Sequence, residues 1–108
     1  MSAVFTDANF ATDALGAGQL TVIDFWATWC PPCVAMGPTI DKLSSTYDGV
    51  VNIGKLNADE NPKTCIEYGI TNLPVVLFLR NGQVVDKQVG LAHYSMLDKK
   101  IQKLLAAG

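Results

Sequence analysis

Residues 22–33 read Val22-Ile23-Asp24-Phe25-Trp26-Ala27-Thr28-Trp29-Cys30-Pro31-Pro32-Cys33. Leu20 to Ala27 is an almost unbroken apolar run rich in β-branched and aromatic residues, the pattern of a strand buried on both faces. Two cysteines two residues apart follow at once. Beyond them Met36, Ile40, Leu43 and Tyr47 recur at spacings of four, three and four, which is one face of a helix, and Asp48-Gly49 ends it. Val50 to Leu56 is a second apolar strand. Strand, helix and strand in that order form a crossover joining two parallel strands. The cysteines therefore sit where a strand hands over to a helix.

The rest of the chain fits around this unit. Thr6-Asp7 is expected to cap a short helix through Phe10 and Leu15, stopped by Gly16 and Gly18. Asn61-Pro62 reads as an N-cap with proline in the first turn, and Gly69 closes that helix. Val75 to Leu79 and Val84 to Val89 flank Asn81-Gly82, the dipeptide that a two-residue type I′ hairpin turn demands. A last helix is expected from Ser95, with Asp98 completing a capping box and Leu97, Ile101, Leu104 and Leu105 as its buried stripe. The fold class is α/β, a mixed sheet with helices on both faces.

Composition narrows the function. The chain has 108 residues, 49% of them hydrophobic and 17% charged, and a net charge of −2. That length suits one domain over residues 1–108. Lys and Arg are scattered, so no basic stripe invites nucleic acid. No run approaches the ~20 apolar residues of a membrane span, and no signal peptide is evident from Met1 to Leu20. A cytoplasmic monomer with no membrane association is the expectation.

Three cysteines are present. Zinc is a poor fit for Cys30 and Cys33, because a closed site needs four ligands and only the isolated Cys65 and His93 remain. No metal site is expected. A purely structural bond is equally unattractive, since so small a loop restricts the unfolded chain little. Redox chemistry remains. With Cys30 at the helix N-cap, its sulfur faces unpaired N–H groups and the positive end of the helix dipole, both favouring thiolate. Cys33, one turn in, is more shielded. Cys30 is thus the attacking nucleophile, and Cys33 resolves the mixed disulfide.

Neighbouring residues tune this pair. Pro32 is tolerated in the first turn, whereas Pro31 deletes an N–H that could have pointed at the Cys30 sulfur. The regular helix is expected to start near Pro32, and Pro38 to kink it. Asp24, apolar on both sides, is expected to be buried with a raised pKa, as a proton acceptor for Cys33 requires. Lys55 in the adjacent strand reads equally as a partner of Asp24 or as an ordinary strand-end lysine. Cys65 is expected to be a small buried thiol, the rival being a regulatory thiol. His93 is expected at the surface.

Asp24-Phe25-Trp26-Ala27-Thr28-Trp29-Cys30, Pro32-Cys33, Pro38, Lys55-Leu56-Asn57, Tyr68-Gly69-Ile70, Leu73-Pro74, Asn81-Gly82 and Val89-Gly90 together resemble the thioredoxin family over nearly the whole chain. The resemblance implies a thioredoxin fold, with a central mixed sheet of four to five strands flanked by about four helices. It implies that Asp24 is the buried acid with Lys55 as neighbour, and that the Leu73-Pro74 bond is cis and lies against the cysteines. A substrate-binding surface of Trp29, Pro32, Leu73, Pro74, Gly90 and Leu91 is implied, with Leu73 backbone pairing to an extended segment. From the residues alone, Trp29 and Leu91 can also be read as plain core residues, although the position of Trp29 beside a reactive loop favours partial exposure.

The implied activity is general reduction of protein disulfides without a bound cofactor, on electrons from a separate thioredoxin reductase. Three departures from the usual family pattern bear on redox tuning: Pro31 replaces a glycine, Val34 a basic residue, and Val75 a threonine. Losing an N–H and a cation should disfavour the thiolate. Trp-Cys-Pro-Pro-Cys also resembles reductases of cytochrome maturation. The same residues admit a dedicated disulfide oxidant or isomerase, or a non-catalytic binding subunit.

Overall fold

The strand that carries Asp24, β2 (Thr21–Trp26), lies at the centre of a five-stranded sheet. The computed structural model describes residues 2–108. On one side of β2 run β3 (Asn52–Asn57) and then β1 (Ala3–Phe5), both parallel neighbours. On the other side run β4 (Val75–Arg80) and β5 (Gln83–Val89), each antiparallel to its neighbour. Central position explains the apolar run: Val22, Ile23 and Phe25 are fully buried because both faces of β2 are covered.

Two cores result. Helices α1 (Pro31–Thr46) and α3 (Tyr94–Ala107) pack Met36, Ile40, Leu43, Leu97 and Ile101 against Val22, Ile53 and Phe78. On the opposite face, a short π-helical segment (Phe10–Leu15) and α2 (Pro62–Glu67) cover Ile23, Phe25, Leu56 and Leu77. Side chains alternate along a strand, so Asp24 points to the α1 side, where Val22 also points. The crossover from β2 through α1 to β3 is as expected. Asn81 and Gly82 adopt φ of 52° and 78°, the positive pair that a type I′ turn uses.

Several local expectations are corrected. The β1 strand was not foreseen; it docks on β3 where Gly54 leaves room. A Cβ at Gly54 would stand 2.5 Å from the Phe5 ring and 2.8 Å from the Ala3 carbonyl oxygen. Thr6 does serve the first helical segment, through reciprocal bonds with Asn9: Thr6 N donates to Asn9 Oδ1 at 2.8 Å, and Asn9 N to Thr6 Oγ1 at 3.1 Å. Asp7 does not cap that helix. It accepts from Lys63 N at 3.1 Å, Thr64 N at 2.9 Å and Thr64 Oγ1 at 2.6 Å, and so caps α2. The Thr64 hydroxyl, above all, holds the Asp7 carboxyl below its ordinary range.

Asn61 holds the N-cap position of α2, yet its side chain makes no cap bond there. It bridges loops instead, accepting from Asp7 N and donating to the Asn57 carbonyl. Ser95 and Asp98 form no capping box, since α3 begins at Tyr94 with His93 as N-cap. Asp98 accepts from the Tyr47 hydroxyl and from Gln102 Nε2, joining α3 to the end of α1. Helix α1 starts at Pro31 rather than Pro32, and runs through Pro38 to Thr46.

Candidate active site

The site lies beyond the C-terminal end of β2, where strand passes into α1. Cys30 is the N-cap of α1, with extended backbone (φ −104°, ψ 101°). Pro31 and Pro32 occupy the next two positions, so neither supplies an N–H. Among the first three helical residues, only Cys33 retains an amide proton. That N–H donates to Cys30 Sγ at 3.3 Å. Val34 N is occupied by the Cys30 carbonyl at 3.1 Å. The Cys30 sulfur thus faces the helix terminus with one aimed backbone donor.

Cys30 and Cys33 are joined by a disulfide, with Cα atoms 5.2 Å apart, inside the ordinary range for such bonds. Both are buried, Cys33 the more deeply. They cluster with Ala27, against which Trp26 and Leu73 pack. The Leu73-Pro74 peptide is cis. Because Val75 pairs with Phe25, the residues preceding β4 lie beside the end of β2 and next to the cysteines. Pro74 is buried, and its carbonyl accepts from Gly90 N at 2.8 Å, which ties the end of β5 to the same place. Gly90 has φ of 87°, a conformation that favours glycine.

Apolar side chains stand exposed around this centre: Trp29, Val34 and Leu91 are 66%, 54% and 55% exposed. Trp29 and Leu91 are therefore not core residues. Pro31 and Pro32 are exposed as well, and Leu73 is half-buried. Trp29 is fixed by a bond from its Nε1 to Asp59 Oδ2 at 2.7 Å. Asp59 does not stand out in the sequence, although a signal for it exists. Loops that follow adjacent parallel strands lie side by side at the sheet's C-terminal edge, and Asp59 follows β3 as Trp29 follows β2.

Asp24 is 1% exposed, and neither carboxylate oxygen has a hydrogen-bond partner among the described residues. Burial pushes its pKa from 3.8 up to about 7, with Lys55 pulling down and Asp41 pushing up. Asp24 and Cys33 line one cavity of about 250 Å³, together with Trp26, Val34, Asp41 and Lys55. A single water needs roughly 10–15 Å³ of such space, so the cavity has room for water beside the acid, whose two oxygens are themselves buried. Lys55 is the register partner of Asp24 in β3. Its ammonium, however, pairs with Asp41 at 3.1 Å. Lys55 is thus neither bonded to Asp24 nor an ordinary strand-end lysine, and Asp41, which no sequence pattern singles out, joins the site.

Cys65 lies on the buried face of α2, away from the disulfide cluster. Burial, with the negative charges of Asp7 and Asp59 adding to it, pushes its thiol pKa up. His93 is exposed. Among the described residues, no group of three or more His, Cys, Asp or Glu is placed to hold a metal ion.

A cysteine pair at the N-terminus of a helix, beside a cis-proline loop and a buried acid, defines a thiol-disulfide oxidoreductase. Comparison with known proteins agrees. The thioredoxin family model matches residues 1–103. Thioredoxin 2 of Chlorobaculum tepidum is 43% identical over 98 residues, spanning 91% of this chain and 90% of its own. A thioredoxin of Chlorobaculum thiosulfatiphilum is 44% identical over 98 residues, 91% of each chain. One from Synechocystis is 40% identical over 100 residues, 93% of this chain and 94% of its own. The chain belongs to the thioredoxin family, and its redox group is its own cysteine pair.

Proposed function

We propose that this chain is a general reductase of protein disulfides. It works in the cytoplasm as a monomer and is recharged by a separate thioredoxin reductase, with electrons ultimately from a nicotinamide or ferredoxin source. The observation that carries this reading is the Cys33 N–H aimed at Cys30 Sγ at the tip of α1. In the reduced protein that donor and the helix dipole stabilise a thiolate on Cys30. The Cys30 thiolate attacks one sulfur of a substrate disulfide. A Cys30–substrate bond forms, and the first substrate thiolate leaves.

Cys33 then gives its thiol proton to the Asp24 carboxylate across the shared cavity and attacks Cys30 Sγ. The Cys30–Cys33 bond closes and the second substrate thiolate leaves, later taking up a proton. Two electrons pass to the substrate, and its two thiolates take up protons, one from Asp24 and one from solvent. An acid with a pKa near 7 suits this exchange, because it accepts and releases a proton close to neutrality. The exposed Trp29 and Leu91 and the loop at Leu73-Pro74 and Gly90 supply an apolar landing surface for an extended segment.

The test is reduction of insulin disulfides followed by turbidity. Cys30→Ser is expected to abolish the activity, and full retention would refute the assignment. Cys33→Ser is expected to hold substrates as mixed disulfides on Cys30, which identifies partners directly.

A further inference from the structure

Lys55 and Asp24 are directly opposed across β2 and β3, and register partners in adjoining strands place their side chains on one face. A flexible four-carbon stem gives Lys55 the reach to meet a carboxylate there. The structure shows another arrangement. Both Asp24 oxygens are unpartnered, while Lys55 Nζ lies 3.1 Å from Asp41 on α1. Asp41 is itself held from the far side, its Oδ1 accepting from Ser2 Oγ at 2.7 Å and Ser2 N at 3.4 Å.

The Lys55–Asp41 pair also stands between two cavities. One holds Asp24 and Cys33; the other, about 270 Å³, opens beneath Ser2, Val4 and Glu60. Both partners are partly solvent-exposed, at 24% and 44% of their side chains. Such a pair adds little to stability. Its geometry matters for a different reason: among the described residues, the only cation lining the Asp24 cavity is tied to an anion instead of to the acid.

We propose that Asp41, braced by Ser2, is a positioning residue that keeps the Lys55 ammonium off the Asp24 carboxyl and so preserves Asp24 as a proton acceptor for Cys33. This rests on the role proposed above for Asp24. The groups facing Asp24 are Lys55 from β3, and Cys33 and Asp41 from α1; its partner in β4 is the apolar Val76. Asp41 acts twice in one direction. It withdraws the positive charge that would stabilise ionised Asp24, and it contributes a negative charge of its own. Released from Asp41, Lys55 is free to swing toward Asp24, and an opposite charge at close range lowers a carboxyl pKa by about one to three pH units.

The experiment is a carbon-13 NMR titration of the Asp24 carboxyl in the full chain carrying Asp41→Asn, Lys55→Met or both, with mixed-disulfide resolution followed against pH. In Asp41→Asn the Asp24 midpoint is expected to fall by about one to three pH units, and the acid limb of resolution to fall with it. In the Lys55→Met background the same Asp41→Asn change is expected to move the midpoint by less than half as much. Ser2→Ala, a milder change, should move the midpoint in the same direction by a smaller step. An unmoved midpoint, or an equal movement with and without Lys55, overturns the proposal. Asp24→Asn resolving at the wild-type rate would instead refute the parent role of Asp24, whatever Asp41 does to its titration.

Discussion

Replacing Asp24 by Asn should stabilise the oxidised protein, and by an amount that grows with pH. In the unfolded chain this carboxyl ionises near 3.8, whereas in the fold it stays protonated to about 7. Between those values the native state binds a proton that the unfolded chain has released. Stability therefore falls as pH rises through the window, and above about 7 the loss is complete. The interval corresponds to about 4 kcal/mol at 1.36 kcal/mol per pH unit. Asn has the shape of the neutral acid but never ionises, so it escapes the loss. Its amide is left as poorly paired as the carboxyl, and that cost is the same at every pH. The informative quantity is thus the widening of the stability gap between variant and wild type, about 3 to 4 kcal/mol from pH 4 to pH 8. Urea unfolding of both oxidised proteins at pH 4, 6 and 8 measures it. A gap independent of pH would refute the claim that burial raises the Asp24 pKa toward neutrality.

Three further outcomes are expected. Asp24→Asn should slow resolution of the mixed disulfide about 10²-fold at neutral pH, read in single-turnover quenching, while the first attack by Cys30 keeps its rate. Pro31→Gly restores an N–H at the start of α1. A hydrogen bond to a charged acceptor contributes about 1.5 kcal/mol or more, so the pH midpoint for Cys30 alkylation should fall by about one unit; an unchanged midpoint would show that the missing donor is immaterial. Gly54→Ala sets a methyl group against Phe5 and the Ala3 carbonyl and should cost about 1–3 kcal/mol in denaturant unfolding, with early amide exchange at Ala3–Phe5 as the sign that β1 has been displaced.

How much of the fold and the site is legible in the sequence follows from the range of each interaction. The β2–α1–β3 unit and the Asn81-Gly82 hairpin are written in local patterns: apolar runs, a helical stripe and a turn dipeptide. Cys30 as N-cap follows from where the strand stops. By contrast β1 is three residues long with Ala3 and Val4 exposed, so no alternation marks it, and only the space above Gly54 explains its docking. Asp7 caps a helix 57 residues away, a pairing that the sheet brings about and no local rule reveals. Strand order places Lys55 opposite Asp24, as expected. Register does not say which way a long side chain turns, and that choice is made by Asp41 on the helix above.

Exposure follows the same logic. Trp29 and Leu91 look like core residues by type, but they fall in loops at the sheet's open edge, where no helix covers them. Cys65 sits among the apolar residues of α2 and the opposite core, as its neighbours suggest.

The central claim concerns which of three thiols is poised to react. Brief treatment of the reduced protein with iodoacetamide at neutral pH, followed by peptide mapping, addresses it directly. The account predicts label on Cys30 first, with Cys33 and the buried Cys65 reacting far more slowly. Label appearing on Cys33 as fast as on Cys30 would contradict it.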